Sequence, residues 1–174
     1  MREVIPSSDP DSASHRVCDW LVEHSDIPAE QVHQMHADRD NAPEAYQQSL
    51  QESLEWREKG HDRLDFVLLA PDGAEPALAI DGPPAAHRFV ARHDAGVAMT
   101  DTLINAARCV AVLVTGGERR PLVDRLTSSS VDPLAEPLAA VRPVGGELRW
   151  YVDWAACNDA NAAANGQRED RGNG

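Results

Sequence analysis

Leu64-Asp65-Phe66-Val67-Leu68-Leu69 is the stretch that decides the fold. Apart from one acid it is continuously apolar, which suits a strand covered on both faces inside a parallel sheet. A second run of this kind, Cys109 to Val114, leads into Gly116-Gly117 and then a stretch with Leu122, Val123 and Leu126 at helical spacing. Strand, tight turn and helix thus recur in the order of an α/β protein, so the sequence predicts a mostly parallel sheet with flanking helices.

Working outward, Pro43 suits a first helical position, Tyr46, Leu50 and Leu54 form one stripe behind it, and Gly60 is a stop signal. Asp11 to Ser25 reads as a shorter amphipathic helix. It carries Val17, Leu21 and His24 or Trp20 on one side, and Asp11 or Ser12 can cap its first turn. Pro71 to Pro84 is a long loop rich in Pro, Gly, Asp and Ala, the kind of segment that often carries function. Beyond it, Phe89 to Arg92 and Gly96 to Thr100 read as short strands, Asp101 to Arg108 as a helix and Leu148 to Val152 as the last strand. The four tryptophans fall at helical or strand positions, where core or edge packing is expected. Residues 165–174 hold no apolar anchor and are expected to be a disordered tail behind one domain, 1–164.

A chain of 174 residues with 42% hydrophobic content can bury a core without disulfides or metals. Its net charge of −13 argues against nucleic acid as a partner and against an anionic membrane surface, because both attract clustered Lys and Arg. Cys18, Cys109 and Cys157 are far apart and form no C-x-x-C pair, so they are expected to be reduced. No apolar run approaches the roughly eighteen residues that a membrane helix needs. Met1 to Pro10 lacks the basic and apolar regions of a secretory signal, so a cytoplasmic location is expected.

Six collinear stretches resemble the 6-phosphogluconolactonases of the wider glucosamine-6-phosphate isomerase type. They are Ile5-Pro6 with Asp11-Ser12, Ile27 to His33, Phe66 to Leu69 with Asp72-Gly73, Ile104 to Arg108, Val112 to Gly116 with Arg119, and Gly146 to Asp153. The resemblance implies a NagB-like α/β fold, a sugar-phosphate ligand, no cofactor, and hydrolysis of 6-phosphogluconolactone in the pentose phosphate pathway. It also implies that 1–164 is a partial domain that lacks the fold's first strands and helices.

Opening a lactone adds water to an ester carbonyl, which calls for a base beside the water and for cations or amides on the phosphate and the developing oxyanion. The resemblance places the base at a histidine after Asp-Gly, and here that position is Ala74, whose methyl group cannot take a proton. Glu75, His87 and His93 are the alternative titratable neighbours. The family's Gly- and Ser-rich phosphate turn would lie upstream of Met1. The expected ligand-binding set is therefore Asp72, Gly73, Arg92 and Arg119, with Arg119 standing where the family has a lysine. Asp72-Gly73 also reads as a plain turn, and Arg119 as a solvated helix opening. His33 and His36 are spaced as a zinc pair could be, but no third ligand accompanies them, and no metal is expected.

Three functions follow as expectations. The first is a degenerate lactonase-like protein with impaired or no catalysis. The second is a working lactonase whose front is encoded elsewhere. The third is a structural or assembly protein that forms homo- or hetero-oligomers through an exposed sheet edge.

Overall fold

The structure, a computed structural model, describes residues 2–3, 6, 9–54, 63–71, 78–80, 88–93, 96–128 and 130–157. In chain order its strands and α-helices are β1 (Arg2–Glu3), α1 (Ala13–Val17), α2 (Ala42–Leu54), β2 (Val67–Leu69), β3 (Val90–His93), β4 (Gly96–Met99), α3 (Asp101–Asn105), β5 (Cys109–Val114), α4 (Arg120–Leu126), β6 (Glu147–Val152) and α5 (Trp154–Cys157). The predicted apolar runs form one parallel sheet in the order β2-β5-β6. A second, antiparallel sheet has the order β1-β4-β3. An isolated bridge between Ala79 and Thr100 ties the chain after β2 to the end of β4. Thr100 then caps α3, its hydroxyl accepting from Leu103 N.

Alternation along each strand decides what is buried. Val67 and Leu69 of β2 and Val110, Val112 and Val114 of β5 lie on one face, packed against Ile104, Ala107, Leu122, Leu138 and Ala156 from the helices and the 137–140 turn. Burial of such side chains contributes roughly 1.5–3 kcal/mol each. A second cluster joins α2, through Ala42 and Leu50, to Val90, Val97 and Leu103, and Leu64 and Met99 touch both clusters. Asp65, the lone acid of the deciding stretch, precedes β2, with Oδ1 3.0 Å from Arg108 Nε.

Three expectations need correcting. The β2 stretch was expected to be covered on both faces, yet Phe66 is 59% and Leu68 55% exposed, and Leu113 (39%) and Tyr151 (50%) lie on that same face. The core helices pack against the Val110 and Val112 side, and on the other face Ala111 is buried while these larger side chains stay exposed. The amphipathic helix near the N-terminus forms as α1 followed by a π-helical turn over Cys18–Val22, with Ser12 as its cap. Its buried positions are Ser12 and Ser14, while Val17, Trp20 and Leu21 are exposed. Trp150 and Trp154 are exposed as well, against the packing expected of them. The α2 helix keeps its predicted stripe, with Leu50 and Leu54 buried.

Candidate functional site

In open α/β sheets, ligands bind beyond the carboxyl ends of the parallel strands. Here three loops meet at that end. Pro71 follows β2, Gly116 follows β5 and Asp153 follows β6. Asp153 is the hub. Its amide donates to Val114 O at 3.1 Å, Oδ2 accepts from Gly116 N at 2.9 Å, and Oδ1 accepts from Ala156 N at 2.8 Å. These amide donors, Ala156 first and Gly116 next, hold the Asp153 carboxyl below the usual carboxylate range.

The β5–α4 connection is shaped by Gly116, whose φ of 94° and ψ of 143° place it in a region that only glycine adopts readily. Arg119 N donates to Gly116 O at 3.0 Å, closing a short 3-10 turn over Gly117–Arg119. The turn swings the Arg119 side chain back toward β2, where Nε donates to Pro71 O at 3.2 Å. Its Nη1 lies 3.8 Å from Glu118 Oε1, a loose and solvent-screened pair. Arg120, the next residue, stands 3.5 Å from Asp124 one turn along α4.

Of the ligand-binding residues expected from sequence, Arg119 alone is seen at this end. Asp72, Gly73, Ala74, Glu75 and His87 lie outside the described residues. Arg92 is on β3 of the other sheet, where Nη2 donates to Arg39 O at 3.0 Å and Asp40 O at 3.1 Å and so staples the turn before α2. With Arg88 it borders an open polar cleft of about 570 Å³, which α2 lines with Gln47, Gln48 and Gln51. His33 faces α2, with Nδ1 3.0 Å from Ser49 Oγ. Among the described residues no three metal-ligating side chains gather. Sequence reasoning missed the part played by Asp153. Its signal was an acid directly after a strand that pairs with the strand preceding Gly-Gly.

This arrangement, an open parallel sheet with a glycine turn and a held arginine at its carboxyl end, defines a protein of the α/β class. No family model matches the chain. The 6-phosphogluconolactonase of Haemophilus influenzae is 26% identical over 169 residues, 88% of this chain and 68% of that protein. The 6-phosphogluconolactonase of Nostoc sp. is 34% identical over 149 residues, 79% of this chain and 61% of that protein. Among solved structures, the Trypanosoma brucei 6-phosphogluconolactonase superposes with a TM-score of 0.62 at 21% identity, covering 89% of this chain and 70% of that one. A monomeric glucosamine-6-phosphate deaminase of the NagB superfamily superposes with a TM-score of 0.64 at 18% identity, covering 90% and 71%. The chain therefore resembles the 6-phosphogluconolactonases in sequence over most of its length and has their NagB-like fold, while spanning about two thirds of its relatives' length.

Proposed function

We propose that the chain is a sugar-phosphate-binding protein of the 6-phosphogluconolactonase type, with hydrolysis of 6-phosphogluconolactone to 6-phosphogluconate impaired or lost. The observation that carries this reading is Ala74, directly after Asp72-Gly73, where the resemblance calls for a base. Without a proton acceptor beside the water, the addition step loses the general-base contribution, worth about 10²–10⁴-fold in rate. Binding has a lesser requirement. A cation fixed at the strand ends attracts a phosphate or carboxylate, and Arg119 is held there by Pro71 and the Gly116 turn. Such a protein would belong to the pentose phosphate pathway in the cytoplasm. Its described residues include no helix long and apolar enough to cross a membrane.

The test pairs two measurements on the purified chain: calorimetric titration with 6-phosphogluconate, and a lactonase assay against the spontaneous rate. Binding without turnover is the expected result. Turnover well above the spontaneous rate would remove the degenerate reading, and neither binding nor turnover would remove the sugar-phosphate reading. A structural or assembly role is the second reading, supported by the apolar face that Phe66, Leu68, Leu113 and Tyr151 leave uncovered beside the edge strand β2.

A further inference from the structure

We propose that Asp153 is a positioning residue for ligand binding at the carboxyl end of the parallel sheet, setting Arg119 in place through the Gly116 turn. The inference rests on the sugar-phosphate reading for its ligand, and on geometry alone for the clamp. Asp153 uses one carboxylate oxygen on the turn after β5, Gly116 N at 2.9 Å, and the other on the first turn of the helix that follows it, Ala156 N at 2.8 Å in α5. Gly116 O in turn accepts from Arg119 N at 3.0 Å. One residue, Gly116, therefore carries both the Asp153 contact, on its N, and the backbone anchor of Arg119, on its O. Arg119 Nε completes the circuit at Pro71 O, 3.2 Å away, so the ends of β2, β5 and β6 are joined through one acid and one arginine. Gly116 sits at φ 94°, away from the wells that hold an ordinary residue, so something outside the turn must choose its conformation. A carboxylate accepting from its amide does so at charge-assisted strength. The depressed Asp153 carboxyl accords with an acid that stays ionised while doing this.

The same chain supplies an internal control. At the opposite end of the sheet Asn105 makes a similar two-armed pin, Nδ2 donating to Ala140 O at 2.9 Å and Oδ1 accepting from Arg142 N at 2.6 Å. Asn105→Ala removes two bonds to backbone, as Asp153→Ala does, but at the wrong end for Arg119.

The experiment titrates 6-phosphogluconate into the wild type, D153A, D153N, R119A, N105A and the double variant D153A/R119A, each well below its melting temperature. Loss of one charge-assisted bond predicts affinity falling about tenfold or more in D153A and in R119A, with little further loss in the double variant. D153N, which keeps one acceptor oxygen, should recover part of the loss, and N105A should bind as the wild type does. Full multiplication of the two losses in the double variant would show Asp153 acting apart from Arg119, and wild-type affinity in D153A would show it not acting at all. Either result overturns the proposal. If the wild type itself does not bind, the sugar-phosphate reading falls, and the clamp is decided by the Arg119 Nε–H resonance. That signal must move in D153A and stay in N105A. An unmoved signal in D153A overturns the clamp whatever the ligand.

Discussion

Gly116→Ala should destabilise the protein while Gly117→Ala, one residue on, should not. At Gly116 two effects oppose the methyl group. The backbone lies at φ 94° and ψ 143°, which costs a non-glycine residue about 1–3 kcal/mol, and a Cβ would run into the Glu118 carboxylate. The backbone effect dominates, because Glu118 is an exposed, flexible side chain that can swing aside. If the peptide flips to escape the strain, Gly116 N leaves Asp153 and that charge-assisted bond is lost instead. The backbone cost predicts a melting temperature lowered by roughly 2–12 °C for a domain of this size. At Gly117 the nearest atom to a new Cβ is Ala155 O at 3.5 Å, an ordinary contact. There alanine should be neutral or stabilising by up to about 1 kcal/mol through the unfolded chain. Equilibrium urea unfolding of G116A, G117A and G116A/E118A separates the causes. Adding E118A should recover only a minor part of the G116A loss. Equal losses in G116A and G117A, or full recovery on adding E118A, would refute the backbone account.

Asp153 predicts a pH effect. A carboxyl whose folded value is depressed contributes stability that is present above its unfolded value, about 3.9, and is lost as pH falls through the folded one. The stability gap between wild type and D153N should therefore shrink between pH 6 and pH 3 in denaturant midpoints, and a constant gap would count against the assignment. Ile104→Ala, at a side chain with no exposure between α3 and the sheet, should cost about 2–5 kcal/mol, whereas Leu134→Ala, exposed beyond the sheet, should stay within about 0.5 kcal/mol by the same unfolding measurement. Replacing Phe66 and Leu68 by serine should lower self-association in sedimentation velocity with little change in melting temperature, since both side chains are already in water. Unchanged sedimentation beside an associating wild type would place the contact elsewhere.

The elements that sequence made legible are those whose signal is local. Leu50 and Leu54 repeat at helical spacing behind Pro43, and α2 forms there. The six-residue run Cys109 to Val114 forms β5 with the same bounds, because Val and Leu in unbroken series suit a strand at the centre of a sheet. What sequence could not settle is which neighbour each face finds. Phe66 and Leu68 look like core residues in one dimension, and only the placement of α3, α4 and α5 on the Val112 side leaves them bare. Val17 and Leu21 failed for the same reason. The site was half legible. Arg119 stands out because a cation follows a glycine turn, whereas the use of Asp153 depends on β6 pairing parallel to β5 in the register Val114 to Val152, which no short-range pattern announces.

The same register bears on what the site can do. Binding and hydrolysis make different demands on a fold: an anion needs a cation held still, and a lactone needs a base that moves a proton. At the carboxyl end of this sheet the described residues hold one cation by geometry, Arg119 on Pro71 O and on the Gly116 turn that Asp153 contacts. Asp153 cannot readily serve the second, because both its oxygens accept from amides and its pKa is lowered, which weakens it as a base. An acid arranged in this way holds a turn, and the resemblance places the proton chemistry after Asp72-Gly73, where Ala74 stands, with Glu75, His87 and His93 as the alternative groups. Restoring a histidine by Ala74→His is therefore the decisive gain-of-function experiment: if the clamp has kept the rest of the site in register, lactonase activity should rise above the spontaneous rate in A74H and fall again in A74H/D153A. Activity in A74H that is indifferent to Asp153 would break the link drawn here between the clamp and the site.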